Sequence, residues 1–542
     1  MESHSTPRGR GLRNPVVLVA LAAAFIAFAV QSGEVGSADT QHRLQSTHAF
    51  WTSEPPVFPN EYPEFGIHGK DGSLQSWYGI GQSLLMLPSD ILGTGLQRLP
   101  IFARYNGNDP SVRSIFVTYT VNIVVNVLTA LICMRFLLLL SFSIRERAAG
   151  TLAFLALTTH LHYTQNMMEN NYIGLLTLTG FACYTEWIHT NSRRALILGA
   201  SAFGLNLLTR LTTGLDLLAG ILFLLLLLYM RGERGPALLH RTRTFLAIAV
   251  PVFAAFALID RLYQAHRFGS FFNTYVSIVA REARARDPHL PANYPWTTPF
   301  HQGFLYALFT PQKSIFLFDP LLILAILIAI AGWRHFSPAI KAYTITAALL
   351  LLAYLSFYAR YFAWAGGADW GDRYAATAVQ LAVLLAVPLL IKLRKPLRRA
   401  VVSCGVALIA ASAAVQAASV AFWQPLELYQ TADLPRRFII GLRFENILAF
   451  ALGKMDAWRL NTASMHEDNW DYIHITSWNF LPFVLQRAGQ VPPCVIYLTL
   501  ALWLLSLAIV AWILLRLWRV LAPPSRADGV SQNPINPDTS GP

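Results

Sequence analysis

The chain has 542 residues, of which 54% are hydrophobic and only 13% charged, and its mean hydropathy is +0.43. A soluble domain cannot hide that much apolar sequence, so the composition excludes one and points to an all-α integral membrane protein. The net charge of +13 has no aromatic-interleaved basic surface to accompany it, so it is read as membrane orientation, and nucleic acid is excluded as a partner.

A span needs roughly 20 apolar residues. Such runs lie near 15–31, 114–140, 149–162, 170–190, 195–210, 213–230, 244–260, 315–333, 342–359, 374–391, 400–422 and 495–515, which predicts about twelve transmembrane helices. Arg8, Arg10 and Arg13 precede the first run, and Arg145, Arg193, Arg231, Arg334, Lys392, Arg399 and Arg516 lie in alternate connections or after the last. An even count puts all of them on one side, with both termini cytoplasmic. The chain is then divided into a cytoplasmic N-terminus (1–14), a transmembrane region with outward loops (15–391), C-terminal spans (392–522) and a disordered cytoplasmic tail (523–542). Gly36-Ser37-Ala38 also resembles a signal-peptide cleavage site, but the preceding run is long for that and its loss would break the even count. Cys133, Cys183, Cys404 and Cys494 show no metal-ligand spacing and are read as core residues.

The long connections, 32–113, 261–314 and 423–494, then face outward, as interfacial loops built on short helices. The first carries Asp39 and His42, three apart and therefore on one face of a helical turn. A carboxylate just beyond a span sits where burial and neighbours tune its pKa, although a helix-start Asp is commonly only a cap. Ser76-Trp-Tyr78-Gly-Ile-Gly81 follows. The next outward turn, His160-Leu-His162 to Asn171, brings Glu169 to the depth of Asp39, with the two histidines read as polar rim residues. Arg210 ends the fifth run. Pro311-Gln-Lys313-Ser314 closes the second long loop, and Arg360 leads into Trp364-Ala-Gly366-Gly367-Ala-Asp369-Trp370-Gly371-Asp372-Arg373-Tyr374.

Four features thus occur in order: an Asp after the first span, Ser-x-Tyr-x-x-Gly-x-x-Leu-Leu-x-x-Pro, Pro-x-Lys-Ser-x-x-Phe-x-x-x-Pro, and Trp-x-Gly-Gly-x-x-Trp-Gly-x-Arg-Tyr. Together they resemble the GT-C class of polytopic glycosyltransferases, in particular bacterial relatives of the protein O-mannosyltransferases and the lipid A aminoarabinose transferase. The likeness covers about residues 15–391. It implies a polyprenyl-phosphate sugar donor, an extracytoplasmic acceptor hydroxyl on a lipid, glycan or protein, and an active site on the outer side of a bacterial inner membrane. It makes Asp39 the catalytic carboxylate and Glu169 the second acidic position, with substrate contacts from His42, Tyr78, Trp364 and Trp370. Two departures stand out. Asp39 is followed by Thr40 where many relatives have paired acids, and Gln312-Lys313-Ser314 stands where Gly-Lys-Gly is common. No cofactor is expected with certainty, and a divalent metal ion is left open.

Attack by a hydroxyl needs a carboxylate to take its proton, and a departing lipid phosphate needs fixed positive charge. Against the positive-inside pattern, the outer-rim cations Lys313, Arg373, Arg210 and Arg360 are the candidates for the donor phosphate. Their alternative role is snorkelling or pairing with Asp319, Asp369 or Asp372. Gly366, Gly367 and Gly371 allow a turn whose backbone N–H groups approach a phosphate. Arg281, Arg284, Arg286 and Arg436-Arg437 read as solvated. The rival readings are a twelve-span transporter or flippase, which expects charge near the bilayer midplane and repeated halves, and a noncatalytic membrane partner in which Asp39 and Glu169 are dispensable.

Overall fold

The computed structural model describes residues 14–58, 66–103, 105, 110–367, 369–423, 425–435, 437–462, 477–489 and 491–522. The tail 523–542, nearly all of the N-terminus 1–14, and Arg436 lie outside the described residues. The protein is an all-α polytopic membrane protein, and each of the twelve apolar runs contains a helix.

In chain order, α1 (Pro15–Val30) leads to α2 (Ala38–Ala49), a two-residue hairpin of β1 (Ile67–His68) and β2 (Leu74–Gln75), α3 (Gly81–Gln97) and α4 (Pro100–Ala103). Helices α5 (Val112–Leu139), α6 (Ile144–Ala156), α7 (His160–Asn166), α8 (Glu169–Thr190), α9 (Arg193–Thr209), α10 (Gly214–Met230) and α11 (Gly235–Phe268) follow. The second long connection holds α12 (Tyr275–Arg286), α13 (Phe300–Phe309) and α14 (Ile315–Phe318). Then come α15 (Leu321–Gly332), α16 (Pro338–Tyr358), α17 (Arg373–Val383), α18 (Ala386–Lys392) and α19 (Arg399–Ser419). The chain ends with α20 (Leu426–Asp433), α21 (Ile439–Ala451), α22 (Leu481–Ala488) and α23 (Pro493–Leu521). Among the described residues, seven helices are long and apolar enough to cross a membrane: α5, α10 with its preceding turn, α11, α16, α17–α18, α19 and α23. Helix α1 and the segment Leu321–His335 are apolar but shorter.

Serines start many of these helices. Ser37, Ser111, Ser143, Ser192 and Ser337 each accept a backbone N–H of the first turn, and Ser143 forms a reciprocal box with Glu146. Inside the bundle, Phe136, Phe181, Phe223 and Tyr343 interlock mainly edge to face. Helix α1 lies between α5 and α23, where Asn126 donates to the Ala23 carbonyl (2.6 Å) and Trp503 to that of Ala29 (2.9 Å).

Two expectations are corrected here. The run near 149–162 is not one span, because α6 stops at Ala156 and α7 begins at His160. His160 and His162 are not rim residues either, since all seven residues of α7 are buried. Their polar groups have partners from distant segments: His160 meets Asn126 (2.9 Å), and Gln165 donates to the carbonyls of Val30, Val420 and Asn479. This polar hub ties the bundle to the third long connection. The cysteines divide as well. Cys133 is buried, whereas Cys404 and Cys494 lie on exposed helix faces and not in the core.

Candidate active site

The first, second and third long connections and the turn 359–372 meet in one cavity of about 940 Å³. Asp39, Arg43, Glu169, Arg210, Asp369 and Arg373 form a charged cluster in its lining, and Trp296, Phe357, Tyr358, Tyr361 and Phe362 contribute an aromatic wall.

Asp39 is placed by the start of α2. The chain reaches it through Gly36, whose φ of +87° suits glycine and where a Cβ would lie 2.5 Å from Asn166 Cα. Ser37 caps the helix, so Asp39 stands in its first turn and Arg43 one turn later on the same face. Tyr78 donates to Asp39 Oδ1 at 2.5 Å, and Arg373 Nη1 lies 2.8 Å from Oδ2. Burial pushes the Asp39 carboxyl up, but Arg373 and Arg43, with the Tyr78 hydroxyl, outweigh burial and the repulsion from Glu169 and hold it below its ordinary value. Tyr78 shifts the other way, well above its usual range, through burial and the adjacent Asp39 carboxylate, so it remains a donor.

Glu169 opens α8 two residues after Met167, which takes the left-handed conformation at φ +46°. Thr40 and Gln82 both donate to the Met167 carbonyl, so α2 and α3 hold this strained turn. The Glu169 carboxylate, 2% exposed, is ion-paired with Arg43 (2.8 Å) and with Arg210. Its two oxygens are thus shared between two guanidinium groups. Arg210 and Arg373 lie over the same ring, that of Tyr374, at 5.5 and 5.2 Å.

Arg373 opens α17, whose cap is Asp372, accepting from the backbone N–H groups of Tyr374 and Ala375. The preceding turn wraps this side chain: Gly366 has φ +81°, and a Cβ there would lie 2.4 Å from Arg373 Cγ. Lys313 lies beneath the turn. Its Nζ donates to the carbonyls of Gly367 (2.7 Å), Asp369 (2.6 Å) and Gly371 (3.1 Å), which uses all three ammonium protons. The expected phosphate contact from Lys313 is thus replaced by a structural one, and the turn presents carbonyls to a lysine where N–H groups were expected to meet a phosphate. Burial lowers the Lys313 pKa to about 8.

Of the other predicted residues, Tyr78 and Arg210 line the cavity, whereas His42, Arg360, Trp364 and Trp370 do not. His42 is half-buried, and its pKa is lowered to about 4, mainly by burial. Arg360 is exposed, and Trp364 packs on Tyr306. Trp370 is buried against Phe318 and beneath Arg443, so its contribution is to packing. Sequence reasoning missed Arg43, although its i,i+4 relation to Asp39 was a usable signal. It also missed the fully buried pair of Arg443 and Glu427, joined at 2.6 Å through both carboxylate oxygens.

Among the described residues, no group of three or more His, Cys, Asp and Glu side chains could hold a metal ion. Every acidic residue lining the cavity is already paired with an arginine: Glu34 with Arg487, Asp39 and Asp369 with Arg373, Glu169 with Arg43 and Arg210, Asp260 with Arg261. These residues do not fit a divalent-metal site, and no step through a metal is derived.

No protein-family model matches the chain, and no curated protein does. Among solved structures it is similar to ArnT from Cupriavidus metallidurans bound to undecaprenyl phosphate. The TM-score is 0.41 and the identity 14%, over 89% of this chain and 78% of that one.

Proposed function

We propose that the protein is a membrane glycosyltransferase of GT-C type that moves a sugar, with inversion, from a polyprenyl-phosphate donor to an acceptor hydroxyl outside the cytoplasm. The observation that carries this reading is the cavity in which an ionised Asp39 stands beside Arg373 and Arg43, with Arg210 and an aromatic wall in the same lining. An amphiphile with an anionic head and an apolar tail matches that division.

The residues divide the chemistry as follows. Asp39 accepts the proton of the acceptor hydroxyl as its oxygen attacks the anomeric carbon. The bond from that carbon to the phosphate oxygen breaks, its electron pair stays on the phosphate, and Arg373, Arg210 and Arg43 offset the growing charge. Arg43 Nε and Arg373 Nε are buried and have no hydrogen-bond partner among the described residues, so both N–H groups are available to a phosphate oxygen. Tyr78 orients Asp39, and Glu169 fixes Arg43 and Arg210.

The test is mass spectrometry of envelope lipids, glycans and proteins from cells with the intact gene and with Asp39→Asn. A sugar absent only from the variant supports the reading and names the acceptor. Identical sugar inventories overturn it.

A further inference from the structure

The last part of α11 buries an unusual stripe. Asp260, Gln264 and Arg267 follow one another at helical spacing, and they are the only buried residues of that helix beyond Ala249. All three are polar, on a helix otherwise apolar enough to cross a membrane. Asp260 and Gln264 line the same cavity as the three arginines, from α11, and Trp77 lines it from the first connection. Arg267 joins the two elements: its Nη1 donates to the carbonyls of Ser76 and Tyr78 (3.2 Å for the latter), on either side of Trp77.

The stripe is unfinished. Gln264 is 1% exposed and its Oε1 has no hydrogen-bond partner among the described residues. Arg267 Nε and Nη2 are likewise buried without one. Asp260 receives both contacts from Arg261 on the same oxygen, Oδ2. Buried polar groups are nearly always satisfied, and those that are not ask for a ligand. The carboxylate and the amide carbonyl accept hydrogen bonds while the Arg267 N–H groups donate them, and this mixed set suits a group rich in hydroxyls, which both donate and accept. The indole of Trp77 adds a flat apolar face, as rings bearing C–H groups require.

We propose that Asp260, Gln264 and Trp77 form the subsite for the sugar ring of the donor, and that this subsite determines which sugar the protein accepts. The proposal rests on the reading of the cavity as a polyprenyl-phosphate-sugar site. Asp260 and Gln264 accept from ring hydroxyls, while Arg267 positions Trp77 and Tyr78 through the backbone.

The experiment uses the full chain in lipid nanodiscs and two classes of probe. One is a long-chain polyprenyl phosphate without sugar, and the other is a panel of its hexosyl and pentosyl phosphodiesters. Wild type should bind at least one sugar-bearing lipid about tenfold or more tighter than the sugarless one. Gln264→Leu and Asp260→Asn should lose that difference while keeping the wild-type affinity for the sugarless lipid. Gln264→Leu removes an unsatisfied amide, so its melting temperature should hold or rise, whereas a merely structural role predicts a fall. If both variants keep the sugar preference, the subsite is overturned and the reading of the cavity stands. If wild type binds neither class of lipid, the reading itself fails and the subsite with it. If soluble methyl glycosides bind to protein saturated with sugarless lipid, lose that binding in Gln264→Leu, and the lipid-linked preference persists, the donor assignment is wrong.

Discussion

Arg373 Nη1 lies between two carboxylates, 2.8 Å from Asp39 Oδ2 and 3.1 Å from Asp369 Oδ2. The first comes from the start of α2 and the second from the glycine turn just before α17. The candidate base and a candidate phosphate ligand are therefore one electrostatic unit. A phosphate that draws on Arg373 weakens its hold on Asp39, and the base becomes more basic as the donor arrives.

Asp39→Asn keeps the shape and removes the proton acceptor, so transfer should fall by about 10²–10⁴-fold. Since Arg373 and Arg43 hold the Asp39 pKa below its ordinary value, the carboxylate is ionised above that range and is lost as a base only when pH falls through the lowered value. The kcat/KM of wild type should thus be flat from about pH 5 to about pH 8 on the acid side. A limb near neutrality would assign the base to another group, and a near-normal rate for Asp39→Asn would remove Asp39 from the chemistry.

Glu169→Gln should behave differently. Breaking a buried ion pair by removing one partner costs about 3–5 kcal/mol, and here two arginines lose their shared counter-ion. A clear drop in melting temperature is expected together with weaker donor binding, whereas Asp39→Asn, at a more exposed position, should melt close to wild type. Equal melts for the two variants would contradict the counter-ion role.

How much of this was legible can be judged from particular residues. The twelve apolar runs located helices because hydropathy reports local composition, and the conjunction of Asp39, Glu169, Arg210 and Arg373 followed from placing their connections on one face. Lys313 was placed in the right region with the wrong partner. Whether an ammonium meets a phosphate or three carbonyls depends on the path of residues 366–371, which the spacing of glycines does not specify. The polar run from His160 to Asn166 misled for a related reason: polar side chains look like rim residues until distant carbonyls supply their hydrogen bonds. Arg443 and Glu427 are sixteen residues apart on two separate helices, α21 and α20, and no periodicity joins them. Gln264 lay just past the apolar run ending at 260, at the start of the second long connection, where no motif singled it out.

Lys313 therefore calls for its own experiment. Lys313→Met should displace the turn that carries Asp369 and Arg373, and a displacement near 1 Å can reduce rate about 10²-fold. Lys313→Arg should not restore activity, because a planar guanidinium cannot point at three converging carbonyls as an ammonium does. With its pKa lowered to about 8 by burial, Lys313 loses a proton, and one carbonyl contact, as pH rises past that value. Between there and the ordinary lysine range the unfolded chain binds the proton more readily than the native one. This group alone then makes unfolding harder as pH rises. The expected alkaline effect is a fall in rate without a matching fall in melting temperature, and full activity of Lys313→Arg would argue against the turn-holding role.

Arg373 is the residue on which binding and chemistry are most closely joined. A lipid phosphate carries charge before the reaction and gains more as the glycosidic bond breaks, so a cation facing it lowers the barrier more than it tightens ground-state binding. Arg373→Ala should consequently reduce kcat more than it raises KM for the donor, and saturating donor should not restore the rate. Arg373→Lys should also be impaired. The guanidinium now faces Asp39 and Asp369 from one edge and the Tyr374 ring from its plane, contacts that a point charge on a flexible stem cannot reproduce together. Loss of Arg373 also frees Asp39 from its nearest cation, which should move the acid limb of kcat/KM upward toward the ordinary carboxylate value. The pH shift separates this arrangement from a role in packing: a packing residue would change the melt and leave the limb in place. If saturating donor returns Arg373→Ala to the full wild-type rate, Arg373 only binds, and the developing charge is met by Arg210 and Arg43.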